Sequence, residues 1–287
     1  MFKKINIFLI TLCSIFTFNN TCYAKVTPYT TKENIKDCTL IRIPLEKDDG
    51  SIIYIPSDKF FASGNEGYSH QFFLNQSLNI LKNDKGDKVF NLLEPYKKTI
   101  MSFSDKPDKD EKDYGFAYHF YNPYTGRNYL PKYINASYET GLVRFENHTK
   151  NALQNYKNNR SYSMEELGRA CHFLEDINVP HHSANLVAVL STHSQYEDFI
   201  NERNQDYVVS TSDKYNEFSS LSFENYCTQL FQDCAKHSYK YKDLANAKKG
   251  LKGDTEKWNI AAKETTKYLQ EHLSAFFYRF LKEVEEF

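Results

Sequence analysis

The sequence lacks three features that would point to common classes of protein. After residue 18 it has no apolar run of the ~20 residues that a transmembrane helix needs, so no later membrane span is predicted. It has no excess of positive charge, with 36 basic and 37 acidic residues among 287, and so no global electrostatic attraction to nucleic acid. It also has no internal repeat and no linker within its helical part, which favours a single domain.

The first 24 residues have the pattern of a signal peptide. Two lysines precede an almost wholly apolar run of 14 residues, 5–18, and the small residue Ala24 marks an acceptable cleavage site. A membrane anchor is the weaker alternative, because this run is shorter than the ~20 residues that span a bilayer. We therefore predict a secreted or periplasmic mature chain that starts at Lys25.

Few cysteines remain after the predicted cleavage. They are Cys38, Cys171, Cys227 and Cys234. Export permits disulfides, but on a continuous helix the Cα atoms of residues 227 and 234 would be about 10.5 Å apart, beyond disulfide reach. They pair only if a turn intervenes. Cys171 would point about 100° away from the next residue, a candidate metal ligand, and is interpreted as a packed thiol.

The predicted elements are a short β-like segment followed by helices. Two β-branched runs, 38–44 and 51–56, flank Asp48-Asp49-Gly50, a pattern typical of two strands around a turn. Helices are predicted over residues 70–81, 89–100, 133–156, 163–177 (opened by the capping box Ser163-Met-Glu-Glu166), 193–201, 216–237 and 255–284. Residues 105–115 are predicted to form a charged loop. The expected fold class is all-α: one multi-helix domain over residues 64–287, with a small β-like N-terminal extension over residues 25–63.

Two histidine–carboxylate pairs are the most informative feature. The pairs are His172 with Asp176, and His193 with Glu197. Each is spaced i, i+4, so on a helix both members share one face and can hold a metal ion. His182 lies between the pairs, just after Pro180, which must end the first helix. Clustered metal ions of this kind indicate hydrolysis of a phosphate ester. The histidines interpreted as structural are His148, His237 and His272.

Together with further segments, these pairs make the chain similar to the bacterial zinc-dependent phospholipase C family, which includes alpha-toxin catalytic domains. The segments that carry the resemblance are Ser69-His70, Asp105 followed by His119-Phe-Tyr-Asn-Pro, His172-x3-Asp176-x5-His182, and His193-x3-Glu197. The resemblance covers roughly residues 64–285. It implies an all-helical domain around a zinc cluster.

The resemblance also implies a role for each matching residue. The implied ligands are Asp105, His119 and His172 for a first zinc ion, His182, His193 and Glu197 for a second, and His70 for a third, with Asp176 bridging the first and third. Asp105 is implied to be the general base as well. The family spacing selects His182 rather than His181. Phe116 matches the phenylalanine of the family's choline pocket, whereas Lys106 stands where well-known members have tyrosine. Both are predicted to bind substrate.

The chain departs from the family at the third zinc ion. The family's mature chain begins with a tryptophan that chelates this ion, about thirteen residues before the histidine that matches His70. Here that place falls near Ser57, and the only tryptophan is Trp258. Either proteolysis near Ser57 releases a new amine, or the extension persists. The apolar pattern of residues 39–56 favours persistence. We expect two zinc ions, and leave the third open.

The leading functional hypothesis is a secreted phospholipase C that acts as a monomer on phospholipid at a membrane or lipid surface. Nucleic acid is not an expected partner. One alternative is a single-strand zinc nuclease, since such nucleases resemble this family, but they tend to have aspartate where Glu197 stands. Another is a zinc-binding or lipid-binding relative that lost its activity.

Overall fold

The computed structural model describes residues 42–46, 49–56 and 68–285. Strands β1 (Arg42–Glu46) and β2 (Ile52–Pro56) pair antiparallel in the register Arg42↔Pro56 to Glu46↔Ile52. Gly50 in the turn between them has φ +77°, a left-handed conformation that glycine adopts without strain. The predicted β-like segment is confirmed. The predicted signal peptide, Cys38 and the position near Ser57 lie outside the described residues.

From residue 68 onward the described chain is mainly helical, which confirms the predicted all-α class. The helices are α1 (Ser69–Lys85), α2 (Asp87–Phe90), α3 (Lys97–Ser104), α4 (Pro107–Asp110), α5 (Asp113–Phe116), α6 (Gly141–Asn155), α7 (Arg160–Ile177), α8 (Pro180–Ser183), α9 (His193–Arg203), α10 (Phe223–Tyr239), α11 (Lys242–Ala245) and α12 (Thr255–Val284). Short 3₁₀ turns cover Glu94–Tyr96, Ala117–His119, Asn135–Tyr138, Ala188–Leu190, Asn204–Tyr207 and Lys214–Asn216. Strands β3 (Lys248–Lys249) and β4 (Lys252–Gly253) form a small hairpin before α12.

The start of α7 differs from the sequence prediction. The capping box predicted a start at Ser163, but α7 begins at Arg160, one turn earlier. The side-chain oxygen of Asn159 accepts a hydrogen bond from the backbone N–H of Tyr162 at 3.2 Å, and asparagine is a strong N-cap. Ser163 instead donates its hydroxyl to the carbonyl of Ala152 at 2.6 Å, which ties α7 to α6.

Two other predicted helices are shorter than their periodicity suggested. Pro95 lies inside the predicted helix over residues 89–100, and the structure has a 3₁₀ turn there, because proline lacks the N–H that continues an α-helix. The predicted helix over residues 133–156 is interrupted at Glu139 and Thr140, whose backbone is extended, and α6 begins only at Gly141.

Helix α7 is the centre of the fold. Almost every residue from Ser163 to Ile177 is buried, as expected for a helix that is enclosed by other elements. It packs against α6 on one side and α3 on another. Gly168 permits the second contact, because a Cβ there would lie 2.4 Å from the carbonyl oxygen of Ile100. This close approach sets α3 beside the segment of α7 that carries His172.

The long C-terminal helix α12 closes the core. It packs against α1, α10 and α11 and buries Phe276, Phe277 and Phe280 completely. Within the described ranges, no helix is both long and apolar enough to cross a membrane.

The cysteines of the described chain are thiols. Cys171, Cys227 and Cys234 are free and buried. Cys227 and Cys234 both lie within α10, so the prediction that a continuous helix keeps these two thiols apart is confirmed. Cys171 is fully buried in the main core, which agrees with its interpretation as a packed thiol.

Candidate metal centre

The candidate ligands converge from helices that are far apart in the sequence. His70 lies in the first turn of α1, and the N–H of Ser69 donates to Asn201 Oδ1 of α9 at 3.0 Å, which holds this turn in place. His172 and Asp176 lie one turn apart on α7. The remaining candidates are His119 in a 3₁₀ turn, His182 in α8, and His193 and Glu197 in α9.

The first group is formed by His119, His172 and Asp176. Asp176 Oδ2 lies 2.7 Å from His119 Nδ1 and 3.2 Å from His172 Nε2. The two nitrogens are 3.0 Å apart. All three residues are buried. His172 and Asp176 therefore share one face of α7, as predicted. His119 approaches that face from a different part of the chain.

The second group is formed by His182, His193 and Glu197. Glu197 Oε1 lies 2.7 Å from His193 Nε2 and 3.2 Å from His182 Nε2. Pro180 starts α8 at its first position and redirects the chain after α7, which turns His182 back toward the group. The two groups are neighbours, since His182 Nε2 is also 4.0 Å from Asp176 Oδ1.

A third group overlaps the first and consists of His70, Asp108 and His172. His70 Nε2 lies 3.7 Å from Asp108 Oδ2 and 3.8 Å from Asp176 Oδ1. Asp108 Oδ1 lies 3.6 Å from His172 Nε2 and 3.8 Å from His119 Nδ1. Asp108 and Asp176 thus each direct one oxygen toward the first group and the other toward His70.

Asp105, the carboxylate expected from the sequence, is in a different position. It is buried, but its Oδ2 accepts a hydrogen bond from Gln71 Nε2 at 2.6 Å, and among the described residues it belongs to none of the three groups. Asp108 stands in the place expected for it. The sequence prediction missed Asp108 because residues 105–111 contain several acids, and spacing alone did not identify the one that α4 turns inward.

The ring nitrogens on the far side of the histidines have fixed partners. His172 Nδ1 donates to the carbonyl of Ser104 at 2.7 Å, and His119 Nε2 donates to the carbonyl of Glu111 at 3.1 Å. His182 Nδ1 donates to the carbonyl of His119 at 3.0 Å. Such outer partners set the tautomer and orientation of metal-binding imidazoles. In the neutral, metal-binding form of each ring, the nitrogen that faces the group is therefore the one that carries a lone pair.

This arrangement fits zinc ions. Because the facing nitrogens of His119 and His172 both carry lone pairs, their separation of 3.0 Å is repulsive without a cation or proton between them. A tetrahedral zinc ion with bonds of about 2.0–2.1 Å would hold them roughly 3.3 Å apart. Asp176 Oδ1 and Asp108 Oδ2 are also buried without a hydrogen-bond partner in the described part of the chain, which is unfavourable unless a cation satisfies them.

Burial and neighbouring charges shift the pKa values within the centre. Burial raises the pKa of Asp108 to about 6, and that of Glu197 to about 8. Burial would also raise the pKa of Asp176, but the neighbouring His172 and His182 hold it well below its usual value. A buried carboxylate needs such a positive partner to stay ionised. Bound cations would serve this purpose for Asp108, Asp176 and Glu197.

Two histidines of the centre are held in the neutral form. Burial lowers the pKa of His193 to about 4. Burial, together with the neighbouring His172, also lowers the pKa of His70 well below its usual value. Neutral imidazole is the form that binds a metal ion.

A network of ion pairs fixes the loop that carries Asp108 and His119. Glu111 Oε1 accepts from Arg169 at 2.7 Å and from His148 Nε2 at 2.9 Å, and Arg169 also contacts Asp110 at 2.6 Å. Burial would raise the pKa of Glu111, but His148 and the arginines lower it to about 2. The loop is therefore anchored on α6 and α7 at a point between Asp108 and His119. Sequence reasoning missed this role of Glu111.

The two predicted substrate-binding residues lie at the edge of the centre. Phe116 is half-buried, with its ring centroid 5.3 Å from that of His119. Its φ of +67° follows two other left-handed residues, Tyr114 and Gly115, which bend the loop sharply. Lys106 is half-buried with its Nζ 5.7 Å from the Phe103 ring. These contacts do not test whether Phe116 or Lys106 binds substrate, so both roles stay predictions.

The histidines interpreted as structural lie outside the three groups, as far as the described residues show. His148 bridges Glu111 and Glu166. His272 contacts Glu217 at 3.0 Å, and His237 stacks on Tyr268. His181, the neighbour of His182, points elsewhere: its Nε2 lies 3.3 Å from the hydroxyl of Thr192.

Comparison with known proteins gives one matching family and several relatives. The model of the family "zinc dependent phospholipase C" matches residues 69–241. A phospholipase C of Paraclostridium bifermentans is 29% identical over 239 residues, which is 75% of this chain and 59% of that protein. A phospholipase C of Bacillus cereus is 30% identical over 158 residues, which is 51% of this chain and 54% of that protein. The chain thus spans about three fifths of the length of the first relatives it matches.

Two solved structures have the same fold. Alpha toxin from Clostridium absonum superposes with a TM-score of 0.67 at 22% identity, over 79% of this chain and 66% of the toxin. Clostridium perfringens alpha-toxin from an avian strain superposes with a TM-score of 0.65 at 24% identity, over 78% of this chain and 65% of the toxin.

Proposed function

This chain belongs to the zinc-dependent phospholipase C family, and we propose that it hydrolyses the glycerol–phosphate bond of glycerophospholipids, releasing diacylglycerol and a phosphorylated head group. The observation that carries the proposal is the closeness of the three ligand groups. Asp108 and Asp176 each lie within 4 Å of both His70 and His119, and Asp176 Oδ1 lies 4.0 Å from His182 Nε2. Shared carboxylates hold neighbouring cations a few ångströms apart, the spacing suited to a phosphodiester.

The proposed zinc ligands are drawn from the three groups, with Asp108 also assigned to the first ion and Asp176 replacing His172 at the third. His119, His172, Asp176 and Asp108 would hold one ion; His182, His193 and Glu197 a second; and His70, Asp108 and Asp176 a third. When bound, the ions would withdraw charge from the phosphodiester oxygens and lower the pKa of a water molecule toward 7. The first two sites each have at least three protein ligands, as catalytic zinc sites do.

We assign the general base to Asp108 rather than to Asp105. The base must lie within hydrogen-bond reach of the attacking water. Asp108 Oδ2, which has no hydrogen-bond partner in the described chain, can accept that proton when it is not bound to the third ion. Burial raises the pKa of Asp108 to about 6, so its carboxylate is more basic than that of an exposed aspartate. Asp105 also has a buried oxygen without a partner, Oδ1. Gln71 engages its other oxygen, however, and among the described residues Asp105 belongs to none of the three groups.

The remaining parts of the proposal concern the substrate and its location. Phe116 packs beside His119 and would contact the head group, while the ammonium of Lys106 would attract the phosphate. A phospholipid at a membrane or lipid surface is the proposed partner, and the protein would act as a secreted or periplasmic monomer after removal of the signal peptide.

Purified mature protein should release diacylglycerol from dispersed phosphatidylcholine or phosphatidylethanolamine. Product analysis by thin-layer chromatography separates diacylglycerol from phosphatidic acid and free fatty acid, and so identifies the bond that is cut. Chelation should abolish the release and added zinc should restore it. Single-stranded DNA belongs in the same assay: its cleavage, without hydrolysis of any phospholipid, would favour the nuclease instead.

A further inference from the structure

Glu175 is a buried acid beside the centre that the proposed reaction does not use. It lies on α7 directly before Asp176 and is only 3% exposed. Its Oε2 is 2.7 Å from His70 Nδ1. Among the described residues it belongs to none of the three ligand groups.

The contact with Glu175 determines which nitrogen of His70 faces the third site. In its ionised form, Glu175 at 2.7 Å accepts the proton of Nδ1, so Nε2 becomes the basic nitrogen of the ring. Nε2 is the atom that lies 3.7 Å from Asp108 Oδ2 and 3.8 Å from Asp176 Oδ1. Both separations are shorter than two zinc–ligand bonds end to end, about 4.1 Å, so an ion bound to Nε2 can also contact either carboxylate oxygen.

Glu175 differs in kind from the outer partners of the other ligands. His119, His172 and His182 donate to backbone carbonyls, whereas His70 faces a carboxylate. A hydrogen bond to a charged acceptor is roughly twice as strong as one to a neutral carbonyl, and it increases the electron density on the imidazole that binds the metal. His70 is thereby a stronger donor than a histidine held by a carbonyl.

The position of Glu175 is unfavourable for stability alone. Glu175 is buried directly beside another buried acid, Asp176, and its Oε1 has no hydrogen-bond partner in the described chain. Burying a further acid among acids destabilises a protein unless cations compensate. The arrangement is therefore better explained by metal binding than by folding.

We propose that Glu175 is a positioning residue that fixes His70 with its proton on Nδ1 and thereby sets the zinc affinity of the third site, formed by His70, Asp108 and Asp176. The inference rests on the zinc cluster of the proposed function and adds a residue that controls one of its ions.

Zinc titration against a chromophoric chelator tests this inference. Glu175→Ala should weaken one class of site about 10–100-fold, the usual effect of losing an outer partner, and leave the His182–His193–Glu197 site unchanged. Glu175→Gln should have a smaller effect, because its amide oxygen can still accept from Nδ1. The matched control is Glu217→Gln, which alters a similar glutamate–histidine contact at His272, far from any ligand group.

The melting temperature of the metal-free protein separates positioning from a structural role. The proposal predicts that Glu175→Ala melts no lower than wild type without zinc. A lower melting temperature with all zinc sites weakened alike, or unchanged affinity at every site, would overturn the inference.

A second measurement needs no substitution. Nitrogen-15 NMR of zinc-loaded wild-type protein should show the His70 ring protonated at Nδ1, and protonation at Nε2 would refute the inference. The two proposals fail in different ways. Wild-type protein that binds no zinc contradicts the proposed function, whereas zinc-dependent phospholipase activity with unaltered zinc affinity in Glu175→Ala contradicts only the role of Glu175.

Discussion

Replacing Asp108 with asparagine should lower the rate of phospholipid hydrolysis about 10²–10⁴-fold, the usual contribution of a positioned general base. Asparagine keeps an oxygen that can coordinate a cation, but it has no basic oxygen to accept the proton of the attacking water. The measurement is diacylglycerol release under saturating zinc, with the zinc content of each preparation determined in parallel so that loss of metal is recognised.

Asp105→Asn is the matched control for this prediction, since it makes the same change three residues away. Gln71 Nε2 donates to Asp105 at 2.6 Å, and the amide oxygen of asparagine can accept the same hydrogen bond. We therefore expect Asp105→Asn to retain most of the activity. The reverse result, an inactive Asp105→Asn beside a nearly normal Asp108→Asn, would restore the assignment suggested by the sequence.

His182→Ala should remove about one zinc ion per chain and abolish hydrolysis. His182 Nε2 is one of two imidazole nitrogens that meet Glu197 Oε1, and a site with only His193 and Glu197 left has too few protein ligands for tight binding. Elemental analysis of protein dialysed against zinc-free buffer gives the stoichiometry, and the diacylglycerol assay gives the activity.

His181→Ala provides the control for the change at His182. It removes an imidazole of the same size at the adjacent position, but His181 stacks on His193 and contacts Thr192 rather than a carboxylate of the centre. Truncation of a buried side chain should lower stability by about 2–5 kcal/mol while leaving the zinc content close to that of wild type. Equal loss of zinc from both variants would show that general unfolding, not ligand removal, empties the site.

The sequence was sufficient for the parts of the centre that depend on one helix. The spacing of His172 and Asp176, and that of His193 and Glu197, places each pair on one face, and the structure has both pairs close together. Pro180 likewise predicted the end of α7. The all-α class and the β-hairpin also followed from local periodicity and turn residues.

The parts that depend on tertiary contacts were harder to predict. Which acid of the loop after α3 faces the centre depends on the turn of α4 that carries Asp108 and on the anchoring of Glu111 on Arg169. Neither has a periodic signal in the sequence. Glu175 was hidden for a similar reason: it neighbours the obvious ligand Asp176, and only the packing of α1 against α7 reveals its contact with His70.

Diffraction data collected at the zinc absorption edge, from protein purified without chelators, test the central claim most directly. The account predicts anomalous peaks between His119 Nδ1, His172 Nε2 and Asp176, and between His182 Nε2, His193 Nε2 and Glu197. A further peak beside His70 would mark the third ion. Absence of anomalous density at both of the first two positions, in crystals of protein that retains this fold, would contradict it.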